Sequence, residues 1–248
     1  MDPKDRIILA LDVDNKKAAK EAVILLKDHV GAFKIGFELF VSEGPAVVKM
    51  VKEHGGRVFL DLKFHDIPNT VAKAARASVK LGVDFLDFHA MGGKIMMEEA
   101  RVAVEEKALK LGINPPITLA VTVLTSLGAE DLKRDLNVSK DPEGQVVSLA
   151  KLAHGCGFRG VVASPMEVAA IRKAVGRDFI IVTPGVRPEW AGRQDQKRVA
   201  TPAEAVRAGA DYLVIGRPIL GAKNPVEAAV KIRQELEEME LRREDMVD

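Results

Sequence analysis

Short apolar runs alternate with segments of helical spacing along the whole chain of 248 residues. Each run is rich in Ile, Val, Leu or Phe, which is typical of the buried strands of a parallel sheet. The eight candidate strands cover residues 6–11, 32–35, 57–62, 85–88, 117–123, 160–163, 179–182 and 212–215.

Two of the connecting segments have apolar or small residues at i, i+3, i+4 and i+7, as on the buried face of a helix. Asn15 and Asn69 stand where the N-caps of these two helices are expected, because an Asn side chain can accept a hydrogen bond from the first turn. The periodic residues are Ala19, Ala22, Val23 and Leu26 in the first helix, and Val71, Ala74, Ala75 and Ser78 in the second.

Eight strands alternating with helices in about 250 residues are typical of the (β/α)8 TIM barrel, an α/β fold. We therefore predict one barrel domain over residues 1–248, with a mostly charged tail at 234–248 that forms a fraying helix end. A doubly wound open sheet is the structural alternative, because alternation alone does not establish closure. The first strand is not followed by G-x-G-x-x-G, which argues against a nucleotide-binding sheet of that kind.

The charge balance excludes a general attraction to nucleic acid. Lys and Arg total 37 against 36 Asp and Glu, so the formal charge is +1 and any phosphate recognition must be local. Cys156 is the one cysteine, so no internal disulfide can form, which fits a reducing compartment. No apolar run approaches the roughly 20 residues of a membrane span, and the N-terminus lacks a signal-peptide pattern. We expect a soluble cytoplasmic protein with no nucleic-acid or membrane partner.

Ionisable residues interrupt the apolar runs at the strand ends where TIM barrels place their active sites. Asp12 follows the first strand, Lys34 lies in the second, and Asp61 and Lys63 belong to the third. Side chains alternate along a strand, so these four groups are predicted to converge at one barrel mouth, with Asp66 just beyond.

A purely structural ion-pair network is the competing interpretation of this cluster, because buried charges are normally paired. Removing several ions from water costs several kcal/mol each, however, and apolar side chains would usually fill the space at least as well. The pattern therefore favours a preorganised electrostatic site.

A second group of polar residues follows the last two predicted strands, where barrels often bind phosphate. Gly216 would let backbone amides approach an anion, and Arg217 offers two parallel donors. Arg187 follows strand seven, and the long polar stretch at 188–201, which contains Gln196, has the length of a binding loop or lid. Together these features indicate a small anionic phosphate ester as the ligand.

The residues at 61–71 read D-L-K-F-H-D-I-P-N-T-V, which resembles the signature of the orotidine 5′-phosphate decarboxylase family. D-x-K-x-x-D by itself also occurs in related barrels that decarboxylate or condense sugar phosphates. Those relatives typically carry a Mg²⁺-binding Glu on strand two, whereas this chain has Lys34. The resemblance continues through four further segments: V-T-V-L-T125-S126, T-P-G-V-R187, D-Q196-K-R and V-I-G216-R217-P.

The resemblance implies conversion of orotidine 5′-monophosphate to uridine 5′-monophosphate and CO₂, with no metal or organic cofactor. It also implies a homodimer in which the segment 66–70 reaches into the neighbour's site. Lys63 would be the general acid that protonates C6. By the same resemblance, Lys34, Asp61 and Asp66 complete the charge array; Asp12 and Lys34 hold the ribose; Ile67 and Thr70 belong to the shared segment; Thr125 and Ser126 lie near the pyrimidine; and Arg187, Gln196, Gly216 and Arg217 bind the phosphate.

Three alternatives remain open at this level. One is a metal-dependent sugar-phosphate decarboxylase or aldolase on the same barrel, although the five histidines have no metal-ligand spacing. Another is an aldolase that forms a Schiff base at Lys34 or Lys63. The third is a barrel that binds a nucleotide without catalysis.

Overall fold

The chain folds as a closed barrel of eight parallel strands that follow one another in sequence order, with β1 pairing to β8. The computed structural model describes residues 1–191 and 200–244, with side chains described as far as residue 241. The strands are β1 Ile7–Ala10, β2 Ala32–Ile35, β3 Val58–Phe64, β4 Phe85–His89, β5 Ile117–Val121, β6 Gly160–Val162, β7 Ile180–Thr183 and β8 Tyr212–Ile215.

Helices follow the strands and cover the outside of the barrel. Within the described ranges they are α1 Lys16–Leu26, α2 Phe37–Glu43, α3 Pro45–Glu53, α4 Pro68–Val79, α5 Gly93–Leu111, α6 Ala129–Leu136, α7 Pro142–Gly155, α8 Val168–Val175, α9 Pro202–Ala208, α10 Arg217–Leu220 and α11 Pro225–Glu244. The predicted single barrel is confirmed, and the open doubly wound sheet is wrong because the first and last strands are paired.

Strand ends differ from the predicted ones where the chain makes other local hydrogen bonds. β1 begins at Ile7 because Pro3–Arg6 forms a 3₁₀ turn, in which Asp2 accepts a bond from the amide of Lys4. β5 ends at Val121, two residues earlier than predicted, and β3 continues to Phe64 through an irregularity.

One of the two predicted helix caps is confirmed. The side chain of Asn15 accepts a hydrogen bond from Ala18 N at 3.0 Å at the start of α1. Asn69 is not an N-cap, because α4 begins at Pro68 and Asn69 is its second residue. Ile67 occupies the N-cap position. Proline suits the first helical position because its φ angle is already helical and it has no N–H to leave unsatisfied.

Apolar side chains form two separate cores on the two faces of the sheet. The larger core lies between the strands and the helices, and the smaller one fills the barrel interior. The interior core includes Ile8 and Ala10 of β1, Ala32 of β2, and Phe59 and Phe85 of β3 and β4. Because side chains alternate along strands, the residues two positions further along point to the same interior, one layer nearer the mouth.

The described part of the predicted C-terminal tail, residues 234–244, belongs to a helix that packs on the barrel. α11 continues to Glu244, and its Leu236 and Met239 are buried. Near its end, Glu240 pairs with Arg6 at 3.0 Å. No helix in the described part of the chain is long and apolar enough to cross a bilayer.

Candidate active site

A cavity of about 280 Å³ opens at the C-terminal ends of the strands. Its lining includes Asp12, Lys34, Asp61 and Lys63, which belong to β1–β3 and their ends, and residues of the loops after β7 and β8. Parallel strands place all their C-terminal ends at one mouth, so residues far apart in the chain meet there.

The four predicted charges form a chain of alternating sign along one wall. Lys34 Nζ lies 3.5 Å from Asp12 Oδ1 and 3.2 Å from Asp61 Oδ2. Asp61 Oδ1 accepts a hydrogen bond from Lys63 Nζ. The strand register explains the order, because Lys34 pairs with Ala10 of β1 and Phe59 of β3, the residues that precede Asp12 and Asp61 on the same face. The convergence predicted from strand alternation is confirmed.

The two central members of this series of charges, Lys34 and Asp61, are largely removed from water. The side chains of Lys34 and Asp61 are each 12% exposed, whereas that of Asp12 is 57% exposed. Burial alone lowers the pKa of Lys34, but the carboxylates of Asp61 and Asp12 outweigh it, and the pKa rises above its ordinary value. Burial alone raises the pKa of Asp61, but Lys34, a hydrogen bond from Asp87 and Lys63 bring it down to about 2. Both groups are therefore charged at neutral pH.

Lys63 stands at an irregular point of β3. The register with β4 shifts between Leu60 and Phe64, and Lys63 adopts a φ of 42°. A side chain with a Cβ rarely adopts this left-handed conformation, so neighbouring groups must hold it in place. The backbone amide of Lys63 donates a hydrogen bond to Asp87 Oδ1 at 2.8 Å. The ammonium group of Lys63 lies 5.7 Å from the centre of the Phe37 ring.

Asp87 is a functional candidate that the sequence reasoning missed. It lies in β4, is fully buried, and is in hydrogen-bonding contact with Asp61. Burial first, and then the charge of Asp61, raise the pKa of Asp87 well above its ordinary range, although Lys63 opposes them. The available signal was an Asp in an otherwise apolar strand, two residues after the interior-facing Phe85.

The loops after β7 and β8 supply cationic and glycine residues to the cavity. Gly216 and Arg217 line the cavity at the end of β8, and Arg217 is the first residue of the short helix α10. A Cβ on Gly216 would lie 3.2 Å from Asp12 Oδ2 and 3.2 Å from the Cβ of Ala10, so glycine keeps this junction open. Arg187 also lines the cavity and is 6% exposed. Gln196 lies outside the described residues.

The remaining predicted residues do not all reach this cavity. Thr125 lines it, whereas the neighbouring Ser126 is exposed and does not. Asp66, Ile67 and Thr70 are also exposed and lie outside the cavity of their own barrel. Asp66 Oδ1 accepts a hydrogen bond from Ile67 N at 2.6 Å.

Two histidines lie beside the mouth without entering it. The rings of His65 and His89 stack with their centres 5.2 Å apart, and His89 Nδ1 accepts a hydrogen bond from Met91 N at 3.3 Å. Burial, followed by His65 and Lys63, lowers the pKa of His89 to about 4. The part of the chain that the structure describes contains no group of three or more His, Cys, Asp or Glu side chains that could hold a metal ion.

The closed barrel and the ionised residues at its mouth place the chain in the class of (β/α)8-barrel enzymes. Comparison with known proteins narrows this class. The model of the Orotidine 5′-phosphate decarboxylase / HUMPS family matches residues 5–232. The chain belongs to this family.

Relatives and solved structures agree with this assignment over nearly the whole chain. The orotidine 5′-phosphate decarboxylase of Moorella thermoacetica is 56% identical over 237 residues, covering 96% of this chain and 94% of the relative. That of Syntrophomonas wolfei is 52% identical and covers 96% and 100%. The crystal structure of the Lactobacillus acidophilus enzyme has a TM-score of 0.83 at 39% identity and covers 93% and 98%.

Proposed function

We propose that this chain is a carboxy-lyase that converts orotidine 5′-monophosphate to uridine 5′-monophosphate and CO₂. The observation that carries the proposal is the series of alternating charges Asp12–Lys34–Asp61–Lys63, which ends in an ammonium group at the mouth of the cavity. The family to which the chain belongs supports the same substrate.

The chemical problem lies in the geometry of the pyrimidine ring. The bond from C6 to the carboxylate lies in the ring plane, so the electrons left by departing CO₂ cannot delocalise into the π system. A site that accelerates this reaction must stabilise a localised carbanion, and a fixed positive charge close to C6 does so most directly.

Lys63 supplies that charge and the proton. The C6–carboxylate bond breaks, its electron pair stays on C6, and a proton moves from Lys63 Nζ to C6 as CO₂ leaves. The neutral amine then regains a proton from solvent. Asp61 accepts a hydrogen bond from the ammonium of Lys63 and holds it in position, while Lys34 Nζ lies 3.2 Å from Asp61 Oδ2 and holds that carboxylate in turn. In this scheme each group has a neighbour of opposite charge.

Repulsion between Asp61 and the substrate carboxylate contributes a smaller part. Two charges 4 Å apart interact by about 4 kcal/mol at an effective dielectric constant of 20. Enzymes lower their barriers by ~8–23 kcal/mol, so this repulsion alone is insufficient. The rest of the lowering must come from stabilisation of the carbanion by the preorganised charges and from proton transfer by Lys63.

The other cavity residues bind the parts of the substrate that do not react. Asp12 and Lys34 hold the ribose hydroxyls, and Thr125, which lines the cavity, lies near the pyrimidine. Arg217, Gly216, Arg187 and Gln196 bind the phosphate, whose distance from C6 lets its binding energy drive closure without disturbing the chemistry.

The site is completed in a homodimer by the segment 66–70 of the neighbouring subunit. Asp66, Ile67 and Thr70 are exposed and lie outside their own cavity, and the Ile67 side chain is 66% exposed. A large exposed apolar residue beside charged groups suits an interface that buries it. Asp66 of the neighbour adds a carboxylate to the charge array.

The reaction is tested by following the ultraviolet absorbance of orotidine 5′-monophosphate with the wild-type protein in the presence of a chelator. We expect turnover by the wild type and its loss in Lys63→Ala. Lys52→Ala is the matched control, because Lys52 pairs with Asp84 at 2.9 Å and lies outside the cavity. Absence of wild-type turnover would reject the function, and dependence on an added divalent metal would favour the sugar-phosphate alternative. Equal activity of Lys63→Ala and wild type would reject the mechanism.

Mixing two inactive variants tests the shared site. A dimer of one Lys63→Ala and one Asp66→Asn subunit contains one site with both Lys63 and Asp66 intact, provided that Asp66 acts in the neighbour. Random 1:1 mixing should then restore about a quarter of the wild-type activity, because half of the dimers are mixed and each has one intact site. If both residues act within one subunit, mixing restores nothing.

A further inference from the structure

Asp87 lies where the pairing of β3 with β4 breaks down. Phe59 pairs with Phe85 and Leu60 with Leu86, so Asp61 follows beside Asp87; the next pair is Phe64 with Phe88. β3 therefore carries two more residues than β4 across this interval. Extra residues of this kind lose their backbone partners in the ladder and need others.

The Asp87 side chain supplies the missing partner. Its Oδ1 accepts the hydrogen bond from Lys63 N at 2.8 Å, at the residue whose φ is 42°. This bond connects a fully buried side chain of the neighbouring strand directly to the strained backbone that carries the proposed proton donor. A left-handed residue with a Cβ persists only where its surroundings hold it.

The carboxyl group of Asp87 also contacts Asp61, a member of the series of alternating charges. Asp87 Oδ2 is buried and receives no hydrogen bond from the described residues, while the carboxyl groups of Asp87 and Asp61 are in hydrogen-bonding contact. Two carboxyl groups in such contact share a proton. The proton resides on Asp87, because burial and the charge of Asp61 raise the pKa of Asp87, whereas the pKa of Asp61 is about 2. Lys63 is the second charged group facing Asp87, after Asp61.

We propose that Asp87 is a positioning residue for the decarboxylation: it accepts a hydrogen bond from the Lys63 amide and donates one to Asp61. It thereby fixes both the backbone of Lys63 and the carboxylate that holds the Lys63 ammonium. Asp87 does not line the cavity, so it acts through these two residues and not on the substrate. The inference rests on the proposed function, and deepens it by adding a buried support to the proton donor.

A pair of substitutions separates hydrogen bonding from packing. Asp87→Asn keeps an acceptor for the Lys63 amide and a donor for Asp61, whereas Asp87→Leu fills a similar volume and keeps neither. We expect Asp87→Asn to retain kcat within about threefold, and Asp87→Leu to lose about 10²-fold in kcat, the effect of a misplacement of about 1 Å. KM for orotidine 5′-monophosphate should stay within about threefold of wild type, because the residues proposed to bind the phosphate are unchanged. The same holds for the Kd of uridine 5′-monophosphate, measured by calorimetry.

Three results would overturn the proposal. Wild-type kcat in Asp87→Leu would show that Lys63 needs no such support, and an equal loss in Asp87→Asn would show that the hydrogen bonds do not matter. Weakened binding of uridine 5′-monophosphate in Asp87→Leu, in parallel with kcat, would indicate general damage to the barrel. Should Asp87→Leu not fold, Asp87→Ser gives the same comparison with a side chain too short to reach both partners. Absence of wild-type turnover would instead reject the proposed function.

Discussion

Lys34 is the residue whose removal most directly tests the alternating charge chain. It lies between Asp12 and Asp61, and its side chain is 12% exposed. We consider the substitution Lys34→Met, which keeps most of the side-chain volume and removes the charge. In the variant, Asp61 remains buried, and Lys63 is its remaining cationic neighbour among the alternating charges.

The size of the effect follows from the geometry. At 3.2 Å, the attraction between Lys34 Nζ and Asp61 Oδ2 is about 5 kcal/mol at an effective dielectric constant of 20. Desolvation offsets much of this attraction. Breaking a buried pair by removing one partner costs ~3–5 kcal/mol, and we expect about 3 kcal/mol of lost unfolding free energy because Lys63 still neutralises Asp61 in part.

The dependence on pH has a definite sign. The pKa of Asp61 is about 2 in the folded protein, against an ordinary value of 3.8. A depressed carboxyl pKa gives stability that is present above pH 3.8 and is lost as the pH falls towards 2; here it amounts to about 2 kcal/mol. Without Lys34 the pKa of Asp61 rises, so this stability disappears at higher pH in Lys34→Met than in the wild type.

Urea unfolding at pH 7 and at pH 4, together with kcat/KM for orotidine 5′-monophosphate, measures these effects. We expect kcat/KM of Lys34→Met to fall by about 10²-fold or more, as when one preorganised charge-stabilising group is removed. Lys52→Met is the matched control, since Lys52 pairs with Asp84 at 2.9 Å and has a side chain that is 35% exposed; its loss should be under about 1 kcal/mol. If Lys34→Met matched this control in stability and kept wild-type kcat/KM, the charge chain would have no functional role.

Three further predictions concern the rim of the site. His89 has a pKa of about 4 in the folded state, so between pH 6.5 and 4 the unfolded state binds a proton there that the folded state does not, and stability falls. His89→Asn should remove this part of the loss of thermal stability. Parallel curves of melting temperature against pH for the two proteins would contradict this. Arg217→Ala should lower kcat/KM by roughly 30- to 1000-fold, the cost of removing one partner of a charge pair that the bound phosphate would form with it, but leave turnover of orotidine without phosphate unchanged. Arg177→Ala, outside the cavity, is the control. Trp190 lies in the loop that follows β7 and is 49% exposed. Its fluorescence should change when uridine 5′-monophosphate saturates the site, and an unchanged spectrum would argue against closure of the loop there.

The barrel and the side of the strands on which charges lie were predictable because both depend on short-range periodicity. Strand alternation places Asp12 above Ala10, and Asp61 above Phe59, on the interior face. Parallel pairing then brings the strand ends to one mouth whatever the exact bounds of each strand. For this reason errors of one or two residues at the ends of β1 and β5 did not affect the predicted convergence.

Asp87 was missed for a different reason. The same alternation that placed Asp61 would have placed Asp87 in the interior, above Phe85, but its role depends on the irregular pairing of β3 with β4. An irregular register is a property of two strands together, and neither strand sequence specifies it alone. The left-handed φ of Lys63 is likewise invisible in the sequence, because lysine is not a residue that signals this conformation.

The arrangement of charges argues for function over architecture on energetic grounds. The layers beneath the mouth are filled by apolar side chains such as Phe59 and Phe85, which need no charged partners. A further apolar layer would have closed the barrel at lower desolvation cost than Lys34 and Asp61 do. The ion pairs between Asp12, Lys34, Asp61 and Lys63 lie instead at the mouth, where all four residues line the cavity, and the series ends at Lys63, whose side chain remains 27% exposed. An ammonium that is anchored from below and accessible from above is suited to stabilise negative charge on a ligand and to give it a proton.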